Sequence, residues 1–150
     1  MFFGSLVFIC IFVSKLADMG KFFILFLFIS SLSFAQTTVP LSKLEKNDNL
    51  YYLKGSDKLY TGSVLSKFKN HRVALTGKVV KGKAEGLWVW YYSNGKKKRS
   101  TIFVHGIKNG KTIYYYKNGQ KRSEMDFVND KNTHQTTWNE QGKVIPNPSF

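Results

Sequence analysis

The sequence predicts an all-β fold, an elongated single-layer antiparallel sheet of tandem hairpins of about 24 residues each, preceded by an N-terminal hydrophobic signal helix. Three observations predict it. Glycines and aromatic residues recur at a fixed interval of 24, the runs between them alternate rings with smaller or polar residues, and Asn-Gly dipeptides punctuate those runs. In such architectures each unit covers only its neighbours, and few contacts reach further.

The first 35 residues stand apart from the pattern. Two apolar runs, 2–13 and 22–35, are each short for a bilayer span, which takes about 20 apolar residues. The second reads as a secretory signal with translation starting at Met19. Lys21 supplies the positive end, FFILFLFI the apolar centre, and Ser33-Phe34-Ala35 a small-x-small cleavage site ahead of Gln36. The chain is therefore expected in the periplasm or outside the cell, or membrane-anchored where the segment stays uncleaved. Cys10, the single cysteine, goes with the leader, which suits an oxidising compartment. One cysteine also excludes an internal disulfide framework, a Cys-based zinc finger and an iron–sulfur site. Residues 36–49 are polar, contain one proline and lack periodicity, so they read as a linker.

A repeat domain is expected over 50–145, with a tail at 146–150. Leu50, Tyr51, Tyr52 and Leu53 read as a capping strand over the first hairpin. Gly62, Gly86 and Gly110 open units at 62–85, 86–109 and 110–133, and a partial copy follows at 134–145. Phe68, Tyr92 and Tyr116 form a second series, Val79, Phe103 and Phe127 a third, and Gly82, Gly106 and Asp130 a fourth. Asn94-Gly95 recurs as Asn118-Gly119, and Gly142 falls in the last turn. Asn-Gly between two strand-like runs signals a hairpin, because both central residues of a type I′ turn need positive φ and these two tolerate it. A helical repeat fails, since WVWYY and TIYYY are rich in aromatic and β-branched residues.

Alternation assigns the faces. Trp88, Trp90 and Tyr92 point one way, with Thr112, Tyr114 and Tyr116 beside them in the next copy and Val64, Ser66 and Phe68 in the previous one. Leu87, Val89 and Tyr91 point the other way. A single layer buries little apolar surface, so it relies on cross-strand ring pairs of roughly 0.2–1 kcal/mol each. Pro146 and Pro148 are expected to end pairing at the far edge, since proline cannot donate to a ladder.

No residue set carries catalysis. Glu124 and Asp126 share a strand face, but neighbouring cations make them cross-strand ion pairs rather than an acid/base couple. His71, His105 and His134 sit in or beside bends, without metal spacing, and read as solvated turn residues. Residues 106–112, GIKNGKT, fall one short of a phosphate-loop motif and lie between hairpins rather than between a strand and a helix. No catalytic residue, metal ligand or cofactor is assigned.

The net charge of +14 concentrates attention on Lys96, Lys97, Lys98 and Arg99, supported by Lys108, Lys111, Lys117, Lys121 and Arg122. A charged strand leaving a turn keeps an exposed sheet soluble. The same run also offers a positive surface to an acidic partner. Cations interleaved with rings suit single-stranded nucleic acid, but export argues against that partner. An acidic protein, an acidic envelope component or an anionic membrane surface fits better. The sequence does not say which face stays wet; where the row Trp88, Trp90, Tyr92, Tyr114 and Tyr116 is uncovered, it is the expected contact surface.

The run GLWVWYYSNGKKK, continued by FVHGIKNGKTIYYYKNGQKRSEMDF, and the lead-in YYLKGSDKLYTGSV at 51–64 resemble the MORN-repeat variant of the bacterial YwqK-type antitoxin family. The resemblance covers about residues 50–145. It departs from the family pattern at His71, Asp130 and His134, which take glycine positions. It implies hairpin stacks that serve as protein-binding or membrane-associated scaffolds, some of which contact phospholipid. The expected role is a non-enzymatic exported scaffold that binds a protein or an envelope component. One alternative is an antitoxin that neutralises a partner toxin by direct binding, and another is binding of anionic lipid or polysaccharide at the membrane surface.

Overall fold

Strand order in space follows strand order in the chain almost throughout. The computed structural model describes residues 38–147, all within one unit, Gln36–Phe150. The signal reading of 1–35 and the end of the tail lie outside the described residues.

Seven long strands carry the sheet. They are β4 (Gly62–Lys67), β5 (Val73–Val80), β6 (Lys83–Tyr91), β7 (Lys97–Val104), β8 (Ile107–Tyr115), β9 (Lys121–Val128) and β10 (Lys131–Trp138). Each pairs antiparallel with the next, as the hairpin pattern requires. Two short strands complete a nine-stranded sheet: β1 (Thr38–Pro40) runs parallel to β4 at one edge, and β11 (Val144–Ile145) pairs with β10 at the other. Pairing stops before Pro146.

Two kinds of turn alternate, and the structure exchanges the types expected of them. The two-residue type I′ turns are Lys81-Gly82, His105-Gly106 and Asn129-Asp130, where both central residues have positive φ and the flanking residues pair directly. At Asn94-Gly95 and Asn118-Gly119 the glycine alone has positive φ. There Tyr92 N–H bonds to Lys96 O at 2.8 Å, and Gly95 N–H bonds back to Tyr92 O at 2.9 Å. This is a longer loop with a bulge, and the bulge recurs at Ser66/Lys67, Trp90/Tyr91 and Tyr114/Tyr115. The asparagine does not need positive φ because its side chain closes the loop, accepting Lys96 N–H at 3.0 Å.

The segment expected to be a linker is structured. After β1, a 3-10 turn at Leu41–Lys43 leads into β2 (Leu44–Asn47), which pairs with β3 (Leu50–Leu53) as a separate two-stranded sheet. Residues 50–53 are a strand, as expected, and they pair with β2 in a small second layer packed on the first strands of the main sheet. Tyr51 N–H donates to Gly82 O at 2.7 Å, and Gly82 N–H donates to Tyr60 O at 2.8 Å, so the first type I′ turn anchors that layer. A side chain at Gly82 would run into Leu59. The apolar anchors Val39, Leu41 and Leu44 are too sparse to show a period, yet they close the core over Val64, Leu75, Val79, Ala84 and Trp88. Burial at this seam raises the hydroxyl pKa of both Tyr51 and Tyr60. No residue of β8–β11 belongs to that core. The sheet is two-layered at its N-terminal end and single-layered beyond.

Candidate functional site

The 24-residue period and the strand alternation bring one side chain per strand into rows across the sheet. One row runs Gly77, Trp88, Thr101, Thr112 and Met125 through successive registers. The indole of Trp88 lies over Gly77, where a methyl group would overlap the ring. Tyr51 stacks on its other side with centroids 5.7 Å apart, and Phe103 meets it edge-on at 6.0 Å. Its indole N–H donates to Lys78 O at 3.1 Å. Trp88 is 2% exposed. It is therefore a core residue and not the contact residue the sequence suggested, because the second layer covers the ring row there.

The adjacent row runs Leu75, Trp90, Arg99, Tyr114 and Ser123. Leu75 is buried under the second layer, whereas Trp90 and Tyr114 are half-buried. The Arg99 guanidinium sits 3.6 Å above the Trp90 ring and 5.9 Å from Tyr114, and Arg122 lies 5.8 Å from Tyr114. Such cation–ring contacts contribute about 0.5–2 kcal/mol, more as water is excluded. Lys108 over Phe127 at 4.6 Å and Lys121 over Trp138 at 5.8 Å extend the motif across β8–β10. Among the described residues, Arg99, Arg122 and Lys108 make no ion pair with a carboxylate. The face beyond the second layer is therefore aromatic, and among the described residues Arg99, Arg122 and Lys108 keep their charge unpaired there, while Lys121 is paired with Glu124.

The remaining expected contact residues separate by role. Tyr92 and Tyr116 point their hydroxyls at the next hairpin, donating to Tyr115 O at 2.7 Å and Trp138 O at 2.9 Å. They join units and do not present a free polar tip. The basic run disperses: Lys96 Nζ donates to Asn118 O at 2.6 Å, Lys97 is exposed, Lys98 lies 5.9 Å from the Tyr92 ring, and Arg99 belongs to the row above. The bulge at Trp90/Tyr91 and the alternation of the strand split the run. The sequence marks Lys108 and Arg122 only as support for the basic run and Phe127 only as a repeat position; that the cations stand against rings follows from the strand register.

Glu124 and Asp126 are ion-paired, as their shared face suggested. Lys111 Nζ lies 2.7 Å from Glu124 Oε1 and 2.9 Å from Asp126 Oδ1, and Lys121 Nζ is 2.6 Å from Glu124 Oε2. Hydrogen bonds from Lys111 and then Lys121 hold the Glu124 carboxyl below its ordinary pKa, and Glu124 and Asp126 raise that of Lys111. Among the described residues no group of three or more His, Cys, Asp or Glu could hold a metal.

Residues 84–105 and 108–129 match the MORN repeat variant family. These two segments are MORN-type repeat units. Each spans one strand, the Asn-Gly loop and the returning strand, β6–β7 and β8–β9, and ends in a type I′ turn. No curated protein and no solved structure is significantly similar to the chain. MORN repeats often serve as protein- or membrane-binding modules and are generally non-catalytic scaffolds. The cation–ring row lies on the two matched MORN units and continues past them to Trp138.

Proposed function

We propose that this chain is a non-enzymatic, exported repeat scaffold whose uncovered sheet face binds an acidic partner at the cell envelope. One observation carries the reading: the guanidinium of Arg99 lies 3.6 Å from the Trp90 ring and 5.9 Å from that of Tyr114, and that of Arg122 5.8 Å from Tyr114, in a series that starts at the edge of the second layer and runs out beyond it. Rings hold these cations in place and leave their outward donors for an anion, so little side-chain freedom is lost on binding. Charge complementarity of this kind supplies specificity and association rate. The leader supports export, and the YwqK-type resemblance makes an acidic exported toxin one partner that the reading accommodates.

The test is capture from envelope extract by the full-length chain. A Trp90→Ala, Arg99→Ala, Tyr114→Ala variant is expected to lose the captured partner, and a Lys67→Ala, Lys69→Ala variant to keep it. Equal capture by all three proteins overturns the proposal.

A further inference from the structure

Where the second layer ends, its edge and the face of the main sheet enclose a groove of about 410 Å³. That falls within the roughly 300–1,000 Å³ typical of small-ligand sites. Four cations line it, Lys46, Lys83, Arg99 and Lys108, together with two carboxylates, Asp48 and Asp130. Phe103 and Leu50 supply apolar surface, and Arg99 joins the groove to the cation–ring row. Backbone donors at its rim are already used: His105 N–H bonds to Glu85 Oε2 at 2.9 Å, and Lys108 N–H to Asp130 Oδ1 at 2.8 Å. Recognition here therefore falls to side chains, which disfavours an added β-strand, since that needs free backbone groups.

We infer that this groove holds an acidic sugar residue, a uronate unit of an anionic polysaccharide. The inference rests on the scaffold reading above and names its ligand. The mixed charge of the lining decides the class. An acidic peptide brings main-chain N–H groups but neither hydroxyl donors nor a sugar ring face, and Asp48 and Asp130 repel its successive carboxylates. A uronate brings a carboxylate for the lysines and Arg99, hydroxyl donors for the two aspartates, and a ring face for Phe103. A bilayer surface is too flat to seat headgroups against residues on both walls of a groove.

The full-length chain is titrated by calorimetry with a galacturonate hexamer, a glutamate hexamer, a neutral galactose hexamer and phosphatidylglycerol vesicles. The galacturonate hexamer is expected to bind most tightly. Lys46→Ala, Lys83→Ala should weaken it about tenfold, while Lys67→Ala, Lys69→Ala, with the same change of charge, should not. Asp130→Asn keeps the oxygen that accepts Lys108 N–H, and it should weaken galacturonate binding but strengthen glutamate binding. Tighter binding of the glutamate hexamer or the vesicles, or galacturonate binding unaffected by Lys46→Ala, Lys83→Ala, overturns the sugar assignment and leaves the scaffold reading standing. If none of the anionic probes binds, the sugar assignment falls. The scaffold reading falls with it only if capture from extract also survives the Trp90, Arg99, Tyr114 substitutions.

Discussion

The side-chain amide of Asn94 donates a hydrogen bond to the main-chain carbonyl of Lys117, 23 residues further on, at 3.1 Å. The same bond is made by Asn70 to Ser93 and by Asn118 to Glu140, both at 3.3 Å. In each of the three the side-chain oxygen closes its own loop, on Arg72, Lys96 and Gln120 N–H. One residue type thus shapes a loop and fastens it to the next. This accounts for asparagine in the repeat without any demand for positive φ.

Asn94→Asp keeps the acceptor for Lys96 N–H and removes the donor to Lys117, whereas Asn94→Ala removes both. Urea unfolding should show a loss of about 1 kcal/mol for Asn94→Ala and a smaller loss for Asn94→Asp. Equal stability of all three proteins would mean that the bonds between loops contribute nothing.

Trp88→Ala should cost about 3–5 kcal/mol, because the indole fills the space between Gly77 and Tyr51. Gly77→Ala should cost about 1–3 kcal/mol through overpacking. Most of that second cost should vanish when Trp88 is replaced by Phe, and a double-mutant cycle in denaturant checks the coupling.

His71 occupies the position of Gly95 with φ of +63°, and its side chain is exposed. Relief of that strain should make His71→Gly more stable by about 0.5–1 kcal/mol. Asp130 has the same φ, but its carboxylate accepts Lys108 N–H. Asp130→Gly should therefore be close to neutral. Thermal unfolding of the two variants distinguishes the cases.

The Glu124 pKa lies below its ordinary value of 4.5 in the folded chain, so its stabilising effect is fully present above that pH. It declines as pH falls through the folded value. The Lys111 pKa is raised, so its contribution is present below its ordinary 10.5 and is lost as pH rises through the folded value. The stability gap between the wild type and Glu124→Gln, measured by urea unfolding, should be constant between about pH 6 and 9 and shrink in acid. A gap independent of pH contradicts the ion-pair account.

Repetition made most of the sheet legible. Positions that return every 24 residues revealed the strand order, the shared face of Val64, Trp88 and Thr112, and the ion pairing of Glu124 and Asp126 with cations of neighbouring strands, but not which face is buried. Features present once were invisible. Val39, Leu41 and Leu44 form no pattern, so nothing announced a second layer, and Trp88 could not be separated from Trp90 as the buried ring. The turn types were exchanged because Asn-Gly and Lys81-Gly82 both tolerate positive φ, and the side-chain bond that decides the matter, from Lys96 N–H to the Asn94 oxygen, is one that the dipeptide alone does not announce. The groove joins that layer to β6–β8 and to Asp130, so it too lay beyond periodicity.

Hydroxyl-radical footprinting of the full-length chain, free and after capture of its partner from envelope extract, tests the division of the sheet into a covered and a binding part. Trp88 should stay unreactive in both states, while Tyr114, Met125 and Phe127 should react in the free chain and become protected in the complex. Reactivity of Trp88 equal to that of Tyr114, or protection confined to Leu87 and Ile102 on the opposite face, would contradict the account.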